Sequence, residues 1–305
     1  TISFNQLQQA VKDGDIYIEY LVKSKITKKH VTMVKPSRDS HLLEEALLDL
    51  SKNAKKQQQL LSYFMEHPEP IEQKLLLQKI QTTPGTIKTL VDKSLLEAYK
   101  VEIYRNPYDD HAIVQTLPME LTDQQETAIT PIKEKIANDV HDVFLLHGVT
   151  GSGKTEIYLQ AIQDVIKKGK EAIVLVPEIS LTPQMVNRFK GRFGSKVAVM
   201  HSALSAGDKY DEWRRIHRKE VQVVVGARSA VFAPFENIGI IIIDEEHETT
   251  YKQDDQPRYH ARDVAIHRGK THKCPVILGS ATPTLETYAR AQKGVYQLAT
   301  LSKRT

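Results

Sequence analysis

Two short stretches of this chain have residue types and spacing suited to phosphate chemistry. The first, Gly148-Val149-Thr150-Gly151-Ser152-Gly153-Lys154-Thr155, opens at the end of the apolar run VFLLHG and leads into EIYLQAIQDVI. Glycines so placed let backbone N–H groups curl around phosphate oxygens, and the start of the following helix adds the positive end of its dipole. The pattern assigns Lys154 to the β- and γ-phosphates of a nucleotide and the Thr155 hydroxyl to magnesium. A chance glycine-rich turn is the bland alternative, and the strand, loop and helix setting argues against it. The second stretch, Asp244-Glu245-Glu246-His247, ends the run IGIIIID. Open parallel sheets bind their ligands at the carboxyl ends of the strands. Asp244 is expected there to hold magnesium, partly through water, and Glu245 to polarise the water that attacks the γ-phosphate. Alone, DEEH would read as a solvated acidic loop; with a phosphate loop upstream it does not.

The elements that must position these groups follow from hydrophobic pattern. Beyond residue 120 the runs VFLLHG, AIVLVP, VAVMHS, VQVVVG, IGIIIID and PVILGS alternate with helical segments. Near-continuous Val, Ile and Leu runs of this kind signal a parallel sheet covered on both faces, hence an α/β lobe. The earlier part is different in texture. Residues 16 to 35 read as a hairpin with a polar, lysine-bearing middle. Helices are expected from Leu42 to about Leu50, over AKKQQQLLSYFMEH until Pro68, over IEQKLLLQKI, and from Thr83-Pro84 through TPGTIKTLVDKSLL. A strand, EAYKVEIYR, closes the series. Three short helices followed by a strand pair is the order of a winged helix, whose third helix normally carries DNA contacts. A spacer or protein-contact module would share that pattern. Asn106 to Asp110 is turn chemistry. The expected division is therefore a strand-rich segment over 1–40, a winged helix over 41–105, a linker over 106–120 and the α/β lobe over 121–305.

Bulk properties agree with two cores. The 305 residues are 40% hydrophobic and 26% charged, as in ordinary globular proteins. No apolar run reaches membrane-span length. The opening TISFNQLQQAVKDGD lacks the basic and apolar regions of a secretory signal, and the single cysteine, Cys274, has no internal partner for a disulfide. A cytoplasmic protein is the expectation. A net charge of +4 is too modest to identify a nucleic-acid binder.

Further blocks accompany the phosphate loop and the acids. They are LTDQQETAI, VPEISLTPQ at 176–184, His201-Ser202, GARSAVF at 226–232, and Gly279-Ser280-Ala281-Thr282-Pro283. The segment from Tyr251 to Arg262 interleaves aromatic and basic residues, a composition that stacks bases on rings while cations meet phosphates. In this order the blocks resemble those of superfamily 2 helicases, and more closely the primosomal protein N′ (PriA) family of bacterial replication-restart helicases, through much of residues 121 to 305. The resemblance implies a RecA-like P-loop sheet domain using ATP and Mg2+, with Gln125 contacting the base and Gln124 the competitor. It implies DNA-strand contacts or coupling at Thr182, Arg228, Ser280 and Thr282, and a DNA-sensing loop using Tyr251, Lys252, Arg258, Tyr259, His260 and Arg262. Bland readings remain beside it: Thr182 also suits a helix cap, and Arg228 a structural ion pair.

Family members act as 3′ to 5′ DNA helicases at stalled or abandoned forks during primosome assembly. Single-stranded and forked DNA, other primosome proteins and single-stranded DNA-binding protein are the implied partners, without a membrane. The family also has a second lobe with arginine fingers and a zinc-binding cysteine cluster. Neither is expected in this chain, which reads as a fragment; zinc belongs to the full-length relatives. Another superfamily 2 translocase, or a fragment that mainly docks proteins, are the competing readings.

Overall fold

The computed structural model describes residues 9–11, 13, 28–37, 39–51, 53–105 and 113–304. Its smaller domain runs β1 (Lys29–Pro36), α1 (Ser40–Asp49), α2 (Lys55–Glu66), β2 (Ile71–Glu72), α3 (Gln73–Ile80), α4 (Pro84–Asp92) and β3 (Leu96–Ile103). Leu60, Leu61 and Phe64 form a helical stripe on α2 and meet Val34, Leu43, Leu76, Ile87 and Leu90 in one buried cluster. Pro84 takes the first helical position of α4, where a missing N–H costs nothing.

The strands differ from the sequence expectation. Residues 16–27 of the expected hairpin lie outside the described residues, and the remainder does not pair locally. Instead β1 lies antiparallel to β3 across the domain, from Lys29 opposite Ile103 to Pro36 opposite Leu96, with β2 on its other side. The strand pair of the winged helix is thus one strand before the helices and one after. Alternation marks a strand, but its partner is chosen by which apolar face it must cover, here the helices beneath Val34.

The larger domain begins with α5 (Asp123–Asn138) and alternates β4 (Val143–Gly148), α6 (Lys154–Lys167), β5 (Glu171–Leu175), α7 (Pro183–Phe193), β6 (Val197–Met200), α8 (Ala206–His217), β7 (Val223–Gly226) and β8 (Ile238–Ile243). A small hairpin, β9 (Lys252–Gln253) and β10 (Tyr259–His260), precedes α9 (Ala261–Thr271), β11 (Val276–Ser280), α10 (Leu285–Gln292) and β12 (Gln297–Leu301). Seven strands form a parallel sheet in the order β12-β4-β11-β8-β5-β7-β6. Successive side chains point to opposite faces, so Phe144, Leu146, Ile240 and Ile242 pack under α5, α6 and α7. Val143, Leu145, Ile241 and Ile243 face the other way, with Ile216, Ala265 and Ala291 from α8, α9 and α10. Burial on both faces explains why these strands read as continuous apolar runs.

This strand order decides the site. β11 lies between β4 and β8, so the phosphate loop, Ser280 and Asp244 emerge side by side from three neighbouring strands. Residues 113–120, the described part of the expected linker, lie against α6 and α7. The Thr116 N–H donates to the Gly191 carbonyl at 2.9 Å and the Met119 N–H to Glu156 Oε1 at 3.0 Å.

The two domains meet through charge. Asp211, fully buried, accepts from both the backbone and the guanidinium of Arg105 at 2.9 Å, while Glu102 pairs with Arg214 and Arg218.

Candidate nucleotide site and nucleic-acid face

The loop from Val149 to Gly153 is shaped to leave its centre open. Gly151 and Gly153 hold φ of 82° and 79°, a region that disfavours side chains, and Gly153 caps the start of α6. A Cβ on Gly148 would come within 2.6 Å of Ser152 Oγ. The Ser152 hydroxyl is buried without a partner. Lys154 is 8% exposed, donates from Nζ to the Gly148 carbonyl at 2.8 Å and lies 3.8 Å from Glu245 Oε1. Lys154, Thr155, Asp244 and Glu245 line one cleft of 520 Å³, together with Thr116, Leu117, Met119 and Arg188. A phosphate chain and a magnesium ion fit this donor set: backbone N–H groups and an ammonium on one wall, a hydroxyl and a carboxylate on the other.

Asp244 is held in a buried environment from two sides. Tyr158, one helical turn beyond Lys154, donates its hydroxyl to Asp244 Oδ1 at 2.9 Å, and Tyr251 donates its hydroxyl to the Asp244 carbonyl at 2.6 Å. Burial, then the neighbouring Glu245 charge, pushes the Asp244 carboxyl up to about 6. A bound divalent cation would favour the ionised form and reverse that shift. Glu245 sits at φ 46°, in the left-handed region that non-glycine residues occupy at a cost. That conformation turns its carboxylate toward Lys154 while the chain leaves β8.

The other two members of the box tie the cleft to its surroundings. Glu246, 2% exposed, accepts from the Thr284 N–H at 2.7 Å and the Thr287 hydroxyl at 3.0 Å, with Arg262 at 3.9 Å. The His247 ring lies 2.7 Å from the Ser280 hydroxyl, which also accepts from the Thr282 N–H at 3.0 Å. Tyr158 and the Glu246 network escaped the sequence reading. The spacing of Tyr158 from Lys154 was visible and would have placed both on one helix face.

The expected base-reading glutamines are engaged within the protein. Thr122 and Gln125 form a reciprocal cap at the start of α5, and Gln125 Nε2 donates to the Ser152 carbonyl at 3.1 Å. Gln124 instead joins Ser302 and Lys303, through bonds of 2.9 to 3.4 Å. Gln125 therefore braces the phosphate loop, and contact with a base requires its amide to exchange one of these partners.

On the expected DNA face the residues divide. Tyr251 is 1% exposed and belongs to the sheet core, which corrects its expected role as a base-stacking ring. Its hydroxyl found the Asp244 carbonyl, and a buried phenol goes where its one donor can be satisfied. Arg262 is likewise turned inward, onto Glu286 at 2.9 Å and the Thr287 hydroxyl at 3.2 Å, and is not a free cation for phosphate. Ser280 is fully buried, and Thr182 caps α7 by accepting from the Met185 N–H at 3.3 Å. His260 caps α9 through its ring nitrogen, 3.2 Å from the Arg262 N–H. Lys252, Arg258 and Thr282 stay exposed. Arg228 donates to the Thr250 and Lys252 carbonyls at 3.2 and 2.6 Å and lies 5.8 Å over the Tyr259 ring. It thus holds the hairpin by its backbone, in place of the ion pair considered from sequence.

Residues 122–291 match the DEAD/DEAH box helicase family, and 28–103 match a winged helix domain of PriA helicase from Bacteroidota. The chain belongs to the DEAD/DEAH box helicases, in their PriA group. Among its relatives, the replication restart protein PriA of Bacillus subtilis is 59% identical over 98% of this chain and 37% of that protein. The PriA of a Synechocystis strain is 47% identical over 70% of this chain and 25% of its own length, and that of Chlamydia pneumoniae 41% over 80% and 33%. This chain therefore spans about a quarter to two fifths of the length of the PriA proteins it matches. No described helix is long and apolar enough to cross a membrane.

Proposed function

We propose that this chain carries the ATP-binding lobe and winged helix of an ATP-dependent DNA helicase, one that moves 3′ to 5′ and acts at stalled or abandoned replication forks during primosome assembly. The observation that carries the reading is the convergence of Lys154, Thr155, Asp244 and Glu245 on one cleft, with Tyr251 joining Asp244 to a hairpin that presents two cations to solvent beside the half-buried Tyr259 ring. In this reading Thr155 and Asp244 hold magnesium, and the bound magnesium nucleotide supplies the electrophilic phosphorus. Lys154, released from Gly148 and Glu245, neutralises the β- and γ-phosphate oxygens. Glu245 then orients the attacking water and accepts its proton as the water oxygen bonds to the γ-phosphorus and the β–γ bridging P–O bond breaks, with ADP leaving. Gln125 keeps the loop in register and reaches the base when its amide is exchanged.

Lys252, Arg258 and Tyr259 are the proposed DNA contacts, with His260 and Thr282 beside them. Arg228, Tyr251, Arg262, Ser280 and Thr182 act behind them as supports that pass strand binding to the cleft. Cytoplasmic location and recognition of forked DNA, primosome proteins and single-stranded DNA-binding protein belong to the same proposal. Arginine fingers from a second lobe raise phosphoryl-transfer rates by about 10³- to 10⁵-fold in related systems, so this chain alone should turn over ATP feebly. The test is ATP turnover by the full-length protein with and without single-stranded or forked DNA. Strong stimulation is expected, and a rate indifferent to DNA overturns the helicase reading.

A further inference from the structure

Phe232 ends the turn that follows β7 and is 54% exposed, although Ala230 and Val231 beside it are fully buried. A ring left that far in water contributes little to the core. It does not stand alone. Its centroid lies 5.0 Å from that of Tyr259 at an interplanar angle of 72°, an edge-to-face pair, and Arg228 covers the Tyr259 ring. The β9–β10 hairpin sets Lys252 opposite His260 and Gln253 opposite Tyr259, and it carries two exposed cations, Lys252 on β9 and Arg258 just before Tyr259. Lys252 pairs with Asp254 at 2.9 Å, and the Arg258 Nε donates to the Asp254 carbonyl at the same distance.

We infer that Phe232 is a base-stacking residue: with Tyr259 it forms an aromatic corner that takes an unpaired nucleobase, while the exposed Lys252 and Arg258 of the same hairpin meet phosphates further along the strand. The inference rests on the nucleic-acid reading above and adds a residue and a ligand class to it. An exposed π-face next to a second ring suits any base, because stacking is tolerant of sequence, and cations beside it suit a strand backbone. A paired base has both faces covered, so a duplex cannot use the corner. The same corner is wired inward. Arg228 grips the carbonyls on either side of Tyr251, whose hydroxyl ends on Asp244. A base seated on Phe232 and Tyr259 therefore presses on the segment that carries the metal-side acid.

The test uses this chain with a single-stranded oligonucleotide bearing 2-aminopurine, whose fluorescence is quenched by stacking, and with the same sequence as a duplex. The wild type should bind and quench the single strand. Phe232→Ala should weaken binding by about 5- to 150-fold, the range for loss of one stacked base, and abolish the quenching. Phe232→Leu keeps apolar bulk without a π-face and should behave as Ala does, whereas Phe232→Trp should restore both signals and so report that the fold survives. Undiminished binding and quenching by the Leu variant overturns the inference and leaves the helicase reading standing. Failure of the wild type to bind single strands at all overturns the nucleic-acid role of this face, and the inference with it.

Discussion

The phosphate cleft and the β9–β10 hairpin stand at the same edge of one sheet, yet they are built on opposite plans. In the cleft the chemistry-bearing groups are placed by local structure, Lys154 bonded to Gly148 within its own loop, Thr155 on α6 and Asp244 at the end of β8, and the fold then adds Tyr158 against Asp244. In the hairpin, residues of the same type are sorted by what lies across the fold. Tyr251 is buried against Asp244, whereas Tyr259, eight positions on, sits beneath Arg228 and against exposed Phe232. Two tyrosines of one aromatic-rich segment thus serve different sides of the sheet edge. A site for a compact, highly charged ligand must be rigid before the ligand arrives, while a face for a strand needs exposed rings on a movable support.

Four substitutions would break or sharpen that contrast, beginning with the strongest. Lys154→Ala should weaken ATP binding by about 10- to 150-fold, the loss of one charge-assisted contact, measured by calorimetric titration. Its thermal midpoint should barely move, and a large drop would mean that the lysine is a structural post. Gly279→Ala comes next, because a Cβ there would collide with the Tyr158 hydroxyl and force it from Asp244. A destabilisation of about 1–3 kcal/mol in urea is expected from overpacking, and a neutral result would deny Tyr158 its positioning role.

Tyr251→Phe strips the donor from a buried carbonyl and should cost about 1 kcal/mol while weakening any DNA stimulation of ATP turnover. Tyr259→Phe keeps the ring and should change unfolding by less than about 0.5 kcal/mol. Equal losses at the two tyrosines would erase the distinction between buried support and half-exposed platform.

Legibility followed the range of the interaction. The parallel sheet, the phosphate loop and the acids at the end of IGIIIID could be read because each is specified within some ten residues: a run of strand-forming residues, a glycine pattern, a helix start. The cap by Thr182 on α7 was visible for the same reason, since a cap involves only neighbouring backbone. The small domain was legible as helices and a strand but not as a sheet, because β1 and β3 are joined across more than fifty residues and alternation does not name a partner.

Alone, the sequence determined that this protein has a two-faced parallel sheet and a nucleotide cleft with a lysine, a hydroxyl and two acids. Only the tertiary structure decided that Tyr251 faces inward, that Arg262 and Glu246 are committed to Thr287, and that Phe232 stands exposed beside Tyr259. Local pattern states which side chains an element carries. Which of them meets water depends on the strand order that brings β11 between β4 and β8, and on polar groups finding partners before they can be buried.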